Sequence, residues 1–159
     1  MATPLVRRVD APPAALATGR FADAGYAWAC ECLTQKAISL TPEQWARAVF
    51  EGSGLPLRAF MLFGWKVGLG LKMGSLKKTS HVLGWPIVDS DRGSVTLEAS
   101  SRIVDTQNVI VMGDAGITWI TRVRFTNIVG RALWVFAAPI HQYLICRALK
   151  RVARSAAES

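Results

Sequence analysis

Histidine and cysteine, the residues that most often hold metals, are scarce in this chain. Its 159 residues include two histidines and three cysteines. The motif Cys30-x-Cys32 places two thiols on one face of a predicted strand, but metal sites usually need a second pair of ligands. Only Cys146, His81 and His141 remain to supply that pair. We therefore predict buried apolar cysteines and no metal site. Because three cysteines cannot all pair, we also expect reduced thiols in a cytoplasmic protein.

Long apolar runs are also missing. Residues 1–20 contain charged side chains and three prolines, without the apolar core that a secretory signal requires. The stretch 55–73 is interrupted by three basic residues, and the stretch 132–140 is only nine residues long. A membrane-spanning helix needs about 20 largely apolar residues, so we predict no transmembrane segment.

Motifs for nucleotides and for common hydrolases are absent as well. The glycines of Gly68-Leu-Gly70-Leu-Lys-Met-Gly74 match neither the dinucleotide-binding spacing nor the phosphate-loop pattern. No serine lies in the G-x-S-x-G arrangement of an esterase-type nucleophile. We therefore predict that the protein uses no cofactor.

Acidic residues are few relative to basic ones. Asp and Glu number 11 against 19 Lys and Arg, which gives a net charge of +8. This balance favours nucleic acid, phospholipid head groups or acidic metabolites as partners, although a solvated basic surface has the same composition. Nucleic-acid binding would also need exposed aromatic residues beside the arginines. The strand pattern predicts that Arg122 and Arg124 face water, but we find no exposed aromatic residues beside them. We therefore predict no nucleic-acid partner. Peripheral membrane contact and the oligomeric state are left open.

The C-terminal stretch 127–153 has the apolar periodicity of one long amphipathic helix. Asn127 is a good N-cap, because its side chain can accept hydrogen bonds from the first free backbone N–H groups. The predicted apolar stripe comprises Leu133, Ala137, Ile140, Leu144 and Ala148, flanked by Trp134 and Ile145. The predicted opposite face carries Gln142, Cys146 and Lys150. Pro139 removes one backbone hydrogen bond, so we expect a bend or two consecutive helices.

Alternating residues, caps and turns predict the remaining elements. The predicted strands are 26–33, 82–89, 94–100, 102–112 and 117–127. One helix should begin after Thr41, which can form a capping box with Gln44, and a second should run over 57–71. Short turns between the later strands indicate an antiparallel meander. We predict an α+β fold in which a curved sheet grips the long C-terminal helix, with two short helices after the first strand. Residues 1–20 are predicted to be a loosely ordered lead-in, and residues 21–155 a single domain.

The second predicted helix contains an unusual number of glycines. Gly64, Gly68 and Gly70 each weaken a helix by about 1 kcal/mol relative to alanine. Close packing against a neighbouring element would explain them, and so would a mobile segment that opens.

Candidate site residues follow from the phases of the strands and the long helix. His141 falls on the apolar side of the helix, where a neutral imidazole can act as a general base, anchor a ligand or bond a strand carbonyl in the core. The predicted ligand-binding residues are Trp28, Trp85, Trp119, Thr121, His141 and Leu144, and His141 is also the catalytic candidate. The three indoles can stack on a flat ligand or fill the core.

The order of elements and several local sequences resemble the START-like superfamily, also called helix-grip or polyketide-cyclase-like. The resemblance rests on the segments Phe21-Ala-Asp-Ala-Gly-Tyr26, Pro42-Glu-Gln-Trp-Ala-Arg-Ala-Val-Phe-Glu-Gly52, Leu69-Gly-Leu71, His81-Val-Leu-Gly-Trp-Pro-Ile-Val-Asp89 and Gly130-Arg-Ala-Leu-Trp134, with Pro139 and His141. The resemblance covers roughly residues 20–153. Within the superfamily the chain is similar to a bacterial family of domains whose function is undefined. The resemblance implies a deep apolar cavity between sheet and helix, and a ligand such as a lipid, sterol, hormone or polyketide.

Three functions are consistent with these features. The first is non-covalent binding of a hydrophobic small molecule in the cavity, with shape and a few polar groups selecting the ligand. The second is a cyclase or aromatase type of enzyme that folds a polyketide-like or polyene substrate and gains rate from orientation. The third is a structural or interaction protein whose cavity is filled by its own tryptophans.

Overall fold

The structure, a computed structural model, describes residues 3–11, 19–35 and 39–158 of the chain. The strands are β1 (Leu5–Val9), β2 (Tyr26–Leu33), β3 (His81–Val82), β4 (Trp85–Ser90), β5 (Ser94–Ser100), β6 (Val104–Met112) and β7 (Gly116–Phe125). The helices are α1 (Pro42–Phe50), α2 (Leu55–Phe63) and α3 (Ile128–Glu158), with a 3₁₀ turn at Gly19–Asp23 and a π-helical turn at Gly64–Gly68.

The strands form one curved antiparallel sheet in the order β1-β2-β7-β6-β5-β4-β3. The strand that precedes the long helix, β7, lies between β2 and β6, with Trp28 opposite Thr121 and Asn108 also opposite Thr121. The long helix α3 follows, and the short helices α1 and α2 stand between β2 and the meander. The predicted α+β helix-grip architecture is therefore confirmed.

The junction between β7 and α3 positions the helix on the sheet. As predicted, the strand leads directly into the helix, and the Asn127 side chain accepts a hydrogen bond of 3.0 Å from the Gly130 backbone N–H. A Cβ atom at Gly130 would collide with the backbone carbonyl of Ile103 in the loop before β6. Glycine therefore allows the first turn of α3 to approach the sheet closely.

Helix α1 forms as its sequence predicts. The Thr41 hydroxyl accepts from the Gln44 N–H at 3.2 Å, and the Gln44 side chain accepts from the Thr41 N–H at 2.9 Å. Trp45 and Val49 lie on one face of the helix and are completely buried. The capping box thus fixes where a helix begins whose apolar face enters the core.

Helix α2 differs from its prediction at both ends. It begins at Leu55 instead of Leu57, ends at Phe63 and continues only as the π-helical turn. A Cβ atom at Gly64 or Gly68 would meet nothing within 4 Å, so close packing does not explain these glycines. Gly70 has φ +65°, a left-handed conformation that glycine adopts without strain.

The structure corrects one predicted strand and the prediction for residues 1–20. The predicted strand 82–89 is a hairpin of β3 and β4, because Leu83 and Gly84 have positive φ values of 47° and 86° and reverse the chain. The lead-in 1–20 includes β1, which pairs antiparallel with β2 from Leu5 opposite Leu33 to Val9 opposite Ala29. The sheet thus extends into residues that we placed before the domain.

The buried face of α3 is rotated from the predicted stripe. The helix buries Trp134, Ala138, Ile145, Ala148, Leu149, Val152 and Ala153. Leu133 and Ile140, which we predicted to be buried, are exposed over 40% and 49% of their surface. Ala137 and Leu144 are half-buried, and of the predicted stripe only Ala148 is fully buried. Exposed Pro139 lies inside one continuous helix, so the alternative of two helices is wrong.

Side chains on the predicted polar face of α3 tie the helix to β2. The Gln142 amide donates to the Tyr26 hydroxyl at 2.8 Å, and Cys146 and Cys30 lie with their Sγ atoms 2.9 Å apart. The predicted placement of Gln142 and Cys146 opposite the packed face is therefore wrong. The helix enters a concave sheet, so more than one of its sides meets a strand.

Arg151 connects the C-terminal half of α3 to the end of α1. Its guanidinium donates to the carbonyl oxygens of Ala48 and Val49 at 2.8 and 3.2 Å, and to the Ser53 hydroxyl at 3.2 Å. The last carbonyl groups of a helix have no partners within the helix, and a cation there also interacts favourably with the negative end of the helix dipole. Arg151 therefore caps α1 from another helix.

The two arginines of β7 have different surroundings. Arg122 is only 5% exposed, and burial lowers the pKa of its guanidinium, so the prediction that it faces water is wrong. Arg124 is exposed and pairs with the largely buried Asp105 carboxylate at 3.3 Å. Both residues lie on the outward phase of the strand, and the outer face of the sheet is therefore covered at Arg122.

Candidate functional site

A cavity of about 300 Å³ lies between the sheet, α2 with its π-helical turn, and α3. The lining residues from α1, α2 and the following turn and loop are Phe50, Phe60, Met61, Gly64, Trp65, Gly68, Leu69 and Leu71. The sheet contributes Trp85, Thr106, Asn108 and Thr121. The long helix contributes Leu133, Trp134, Phe136, Ala137, Ile140, His141, Leu144 and Ile145.

The cavity has a buried floor and an exposed apolar rim. Thr106, Asn108 and Thr121, its polar lining residues on the sheet, are at most 3% exposed. The rim residues Phe60, Leu133, Phe136 and Ile140 are between 40% and 76% exposed. Exposed apolar residues of α2 and α3 therefore surround one opening. A molecule that enters meets apolar side chains before it reaches polar ones.

A chain of hydrogen bonds runs along the floor. The Thr121 hydroxyl donates to Asn108 Oδ1 at 2.7 Å, and the Trp119 indole N–H lies 3.2 Å from both Asn108 Oδ1 and Thr121 Oγ1. His141 Nε2 lies 3.4 Å from Thr121 Oγ1. An indole nitrogen can only donate, so the atom of Asn108 that faces Trp119 must be its oxygen. The network therefore links β6, β7 and α3 at one point.

The network assigns the tautomer of His141. Because the Thr121 hydroxyl uses its proton toward Asn108, its oxygen is left to accept a hydrogen bond from His141 Nε2–H. The proton on Nε2 leaves Nδ1 of the neutral ring as an acceptor. Nδ1 is buried and has no hydrogen-bond partner in the part of the chain that the structure describes.

Burial keeps the His141 imidazole neutral. The ring packs against Trp28 at a centroid distance of 5.7 Å and against Trp134 at 5.6 Å. Desolvation by these surroundings lowers the pKa of His141 to about 4. With Nε2–H directed to Thr121, the neutral ring has Nδ1 left as an acceptor, which can orient a ligand that carries a hydroxyl.

Two indole N–H groups near the cavity also lack partners. Nε1 of Trp85 and Nε1 of Trp134 are buried and make no hydrogen bond to any described residue. Both tryptophans line the cavity and pack edge-on against other rings, Trp85 against Trp65 at 5.4 Å and Trp134 against Tyr26 at 5.3 Å. Aromatic walls of this kind accept flat or chain-like apolar groups.

The structure brings four of the six predicted ligand-binding residues to the cavity wall. Trp85, Thr121, His141 and Leu144 line it. The other two predicted residues lie behind the wall: Trp28 supports the His141 ring, and Trp119 bonds to Asn108 and Thr121. Their indoles help to hold the polar groups in place.

Sequence reasoning missed several wall residues, including Trp65, Thr106, Asn108 and Phe136. Thr106 and Asn108 share the inward phase of β6 with the buried Val104 and Ile110, so polar residues in a buried phase were an available signal. Phe136 carried no such signal, because it lies outside the apolar stripe of the helix. Its place at the rim depends on how α3 is rotated against the sheet.

The thiol pair Cys30 and Cys146 lies away from the cavity wall. The hydrogen bond from Cys30, together with the nearby charge of Lys150, lowers the pKa of Cys146, while the same hydrogen bond and burial raise the pKa of Cys30. Burial raises the pKa of the third thiol, Cys32, to about 11. Within residues 3–11, 19–35 and 39–158, no three His, Cys, Asp or Glu side chains are grouped so that they could hold a metal ion.

Fold and cavity together define a helix-grip protein with an open, mainly apolar cavity. Comparison with protein-family models, curated proteins and solved structures finds no match to this chain.

Proposed function

We propose that this protein binds a small hydrophobic molecule non-covalently in the cavity between the sheet and α3. The observation that carries the proposal is an open cavity with apolar walls and rim, in which hydrogen bonds join the polar residues Asn108, Thr121 and His141 into one group. Ligand pockets in proteins commonly combine a large apolar surface with a few polar groups that fix orientation. The resemblance to the START-like superfamily supports the same function.

The volume of the cavity limits the size of the ligand. Water occupies about 30 Å³ per molecule in the liquid, so a cavity of about 300 Å³ holds roughly ten groups of that size. A bicyclic aromatic compound or a short acyl chain fits this range. Parts of a longer molecule would extend through the rim.

The position of the polar residues sets the orientation of the ligand. They lie at the buried floor, while the rim is apolar, so a hydroxyl or carbonyl group of the ligand would enter first. His141 Nδ1 can accept from a ligand hydroxyl, and the indole N–H groups of Trp85 and Trp134, which make no hydrogen bond to any described residue, can donate to a hydroxyl or a carbonyl. An unmatched buried polar group costs about 1–3 kcal/mol. The preferred ligand therefore carries a polar group at one end and is otherwise apolar.

A cyclase type of enzyme is the second candidate, because His141 provides a neutral imidazole inside the cavity. General bases work best when their pKa lies near the operating pH. With a pKa of about 4, His141 is a weak base at neutral pH and is better suited to hold a hydrogen bond. The third candidate, a structural protein with a filled core, is less well supported because the tryptophans leave a void.

The test is binding of an uncharged apolar fluorophore such as N-phenyl-1-naphthylamine, detected by energy transfer from Trp65, Trp85 and Trp134. Ala137→Leu fills part of the wall, and Ala132→Leu on the exposed side of the same helix is the matched control. We expect Ala137→Leu to weaken binding about tenfold, or about 1.4 kcal/mol, and Ala132→Leu to leave it unchanged. Equal affinities of the two variants, or no binding to the wild type, would overturn the proposal.

A further inference from the structure

An exposed apolar surface surrounds the mouth of the cavity. We call it the mouth patch and define it by Phe60, Phe63, Val67, Leu133, Phe136 and Ile140. These side chains are between 40% and 76% exposed. Folded monomers seldom expose contiguous apolar patches beyond a few hundred Å², and larger ones mark sites of interaction. The mouth patch is therefore a candidate interaction surface.

The mouth patch consists of two rows of exposed apolar residues. Phe60, Phe63 and Val67 follow the i, i+3, i+7 spacing of one helical face, and Leu133, Phe136 and Ile140 follow the same spacing on α3. Phe60 from the first row and all three residues of the second row line the cavity. The two rows therefore flank one opening from opposite sides.

The charged residues of the two segments that form the mouth patch are all basic. No acidic residue occurs in the segments 52–88 and 115–157, which contain α2 and nearly all of α3. Exposed Lys66 lies on the π-helical turn, and exposed Arg147 lies on the face of α3 that carries Ile140, seven residues further along the helix. An apolar face with basic residues beside it has the chemistry of a segment that lies in the interface of an anionic membrane.

We propose that the mouth patch docks on the surface of an anionic phospholipid bilayer. The apolar rows would enter the boundary between head groups and acyl chains, and the basic side chains would contact lipid phosphates. Docking does not depend on what the cavity holds. If the proposed ligand binding is correct, an apolar ligand could pass between bilayer and cavity without crossing water.

Charge and burial favour a membrane surface over the other occupants of such a patch. A second copy of the chain would bring together two patches whose own segments contain basic residues and no acidic ones. By length and composition α3 could also cross a membrane, although the core helix of a soluble protein can meet the same criteria. Crossing would remove Ile145, Leu149 and Val152 from the protein core, where they are at most 6% exposed.

The experiment is flotation of the full chain with vesicles of phosphatidylglycerol or of phosphatidylcholine. The test variant Phe63→Ser/Val67→Ser removes two exposed residues that do not line the cavity, and Leu5→Ser/Val88→Ser removes two exposed apolar residues of β1 and β4 as a control. We expect the wild type to bind phosphatidylglycerol vesicles at least tenfold more tightly than phosphatidylcholine vesicles. The test variant should lose at least tenfold in affinity, and the control variant should bind like the wild type.

Several outcomes would overturn the proposal. The wild type could bind both kinds of vesicle with the same affinity, or bind neither. Both double variants could lose the same vesicle affinity. The wild type could also be a dimer that the test variant converts to a monomer. Resistance of the vesicle-bound protein to alkaline carbonate extraction would indicate a spanning helix and would also overturn surface docking. The fluorophore assay is run on the same variants, so failure of docking and failure of ligand binding are distinguished.

Discussion

Acidification should destabilise the protein through His141. Removing its ability to titrate, by His141→Gln, keeps a side-chain N–H that can donate to Thr121. Protonation of His141 requires a charge and a second N–H in a site where Nδ1 has no partner among the described residues. The folded state therefore resists protonation, which is why burial lowers the pKa of His141 to about 4.

The size of the effect follows from proton linkage. An unfolded histidine has a pKa of about 6.5, so above that pH neither state is protonated and His141 contributes no pH dependence. As the pH falls below about 6.5 the unfolded state binds a proton and the folded state does not, so stability is lost until the pH reaches the folded pKa. With a folded pKa of about 4, the loss is about 2 kcal/mol at pH 5 and about 3 kcal/mol once both states are protonated.

Urea unfolding of wild type and His141→Gln at pH 7.5, 6 and 5 measures this loss. The difference between their unfolding free energies removes the contribution of groups that titrate alike in both proteins. We expect this difference to shift by about 2 kcal/mol against the wild type between pH 7.5 and pH 5, a large part of a typical stability of about 5–15 kcal/mol. Parallel curves for the two proteins across that interval would refute the assignment of His141 as a buried neutral ring.

Two further predictions concern the anchoring of α3. Leu149→Ala should lower the free energy of unfolding by about 2–5 kcal/mol, because Leu149 is completely buried. Leu133→Ala, at an exposed position of the same helix, should lower it by less than about 1 kcal/mol. Equal losses in thermal or urea unfolding would show that the buried face of α3 is assigned wrongly. Arg151→Ala should cost about 1.5–3 kcal/mol through its lost bonds to the α1 carbonyls, while Lys150→Ala at the exposed neighbouring position should be within about 0.5 kcal/mol of the wild type. Similar melting temperatures for those two variants would contradict the cap.

Much of the fold could be predicted from the sequence because its signals are local. The capping box of Thr41 and Gln44 joins residues three apart, and the Asn127 cap acts on the N–H of Gly130. Alternation within β5 places Val95, Leu97 and Ala99 in the core without reference to another strand. Such patterns determine where each element begins and which side of it is apolar. Short turns then require neighbouring strands to be antiparallel.

The sequence was a weaker guide where burial is decided by a distant partner. Edge strand β1 has no fully buried residue, so its short sequence carries little periodic signal, and only pairing with β2 defines it. Arg122 looks like a surface residue in sequence, yet it is buried on the outer face of the sheet. Neither position could be assigned from residues near it in the chain.

By itself, the sequence determined the long C-terminal helix, most of the strands around it and the inward phase of Thr121 and Trp119. Only the tertiary structure decided the rotation of α3, and with it which residues form the core and which form the rim of the cavity. The apolar surface of α3 is broader than the stripe that one sheet can cover, so the helix periodicity is compatible with more than one rotation. Contacts distant in sequence select among them, including Arg151 with α1 and Gln142 with Tyr26. The selected rotation leaves Leu133, Phe136 and Ile140 at the opening and brings His141 to Thr121 on the floor.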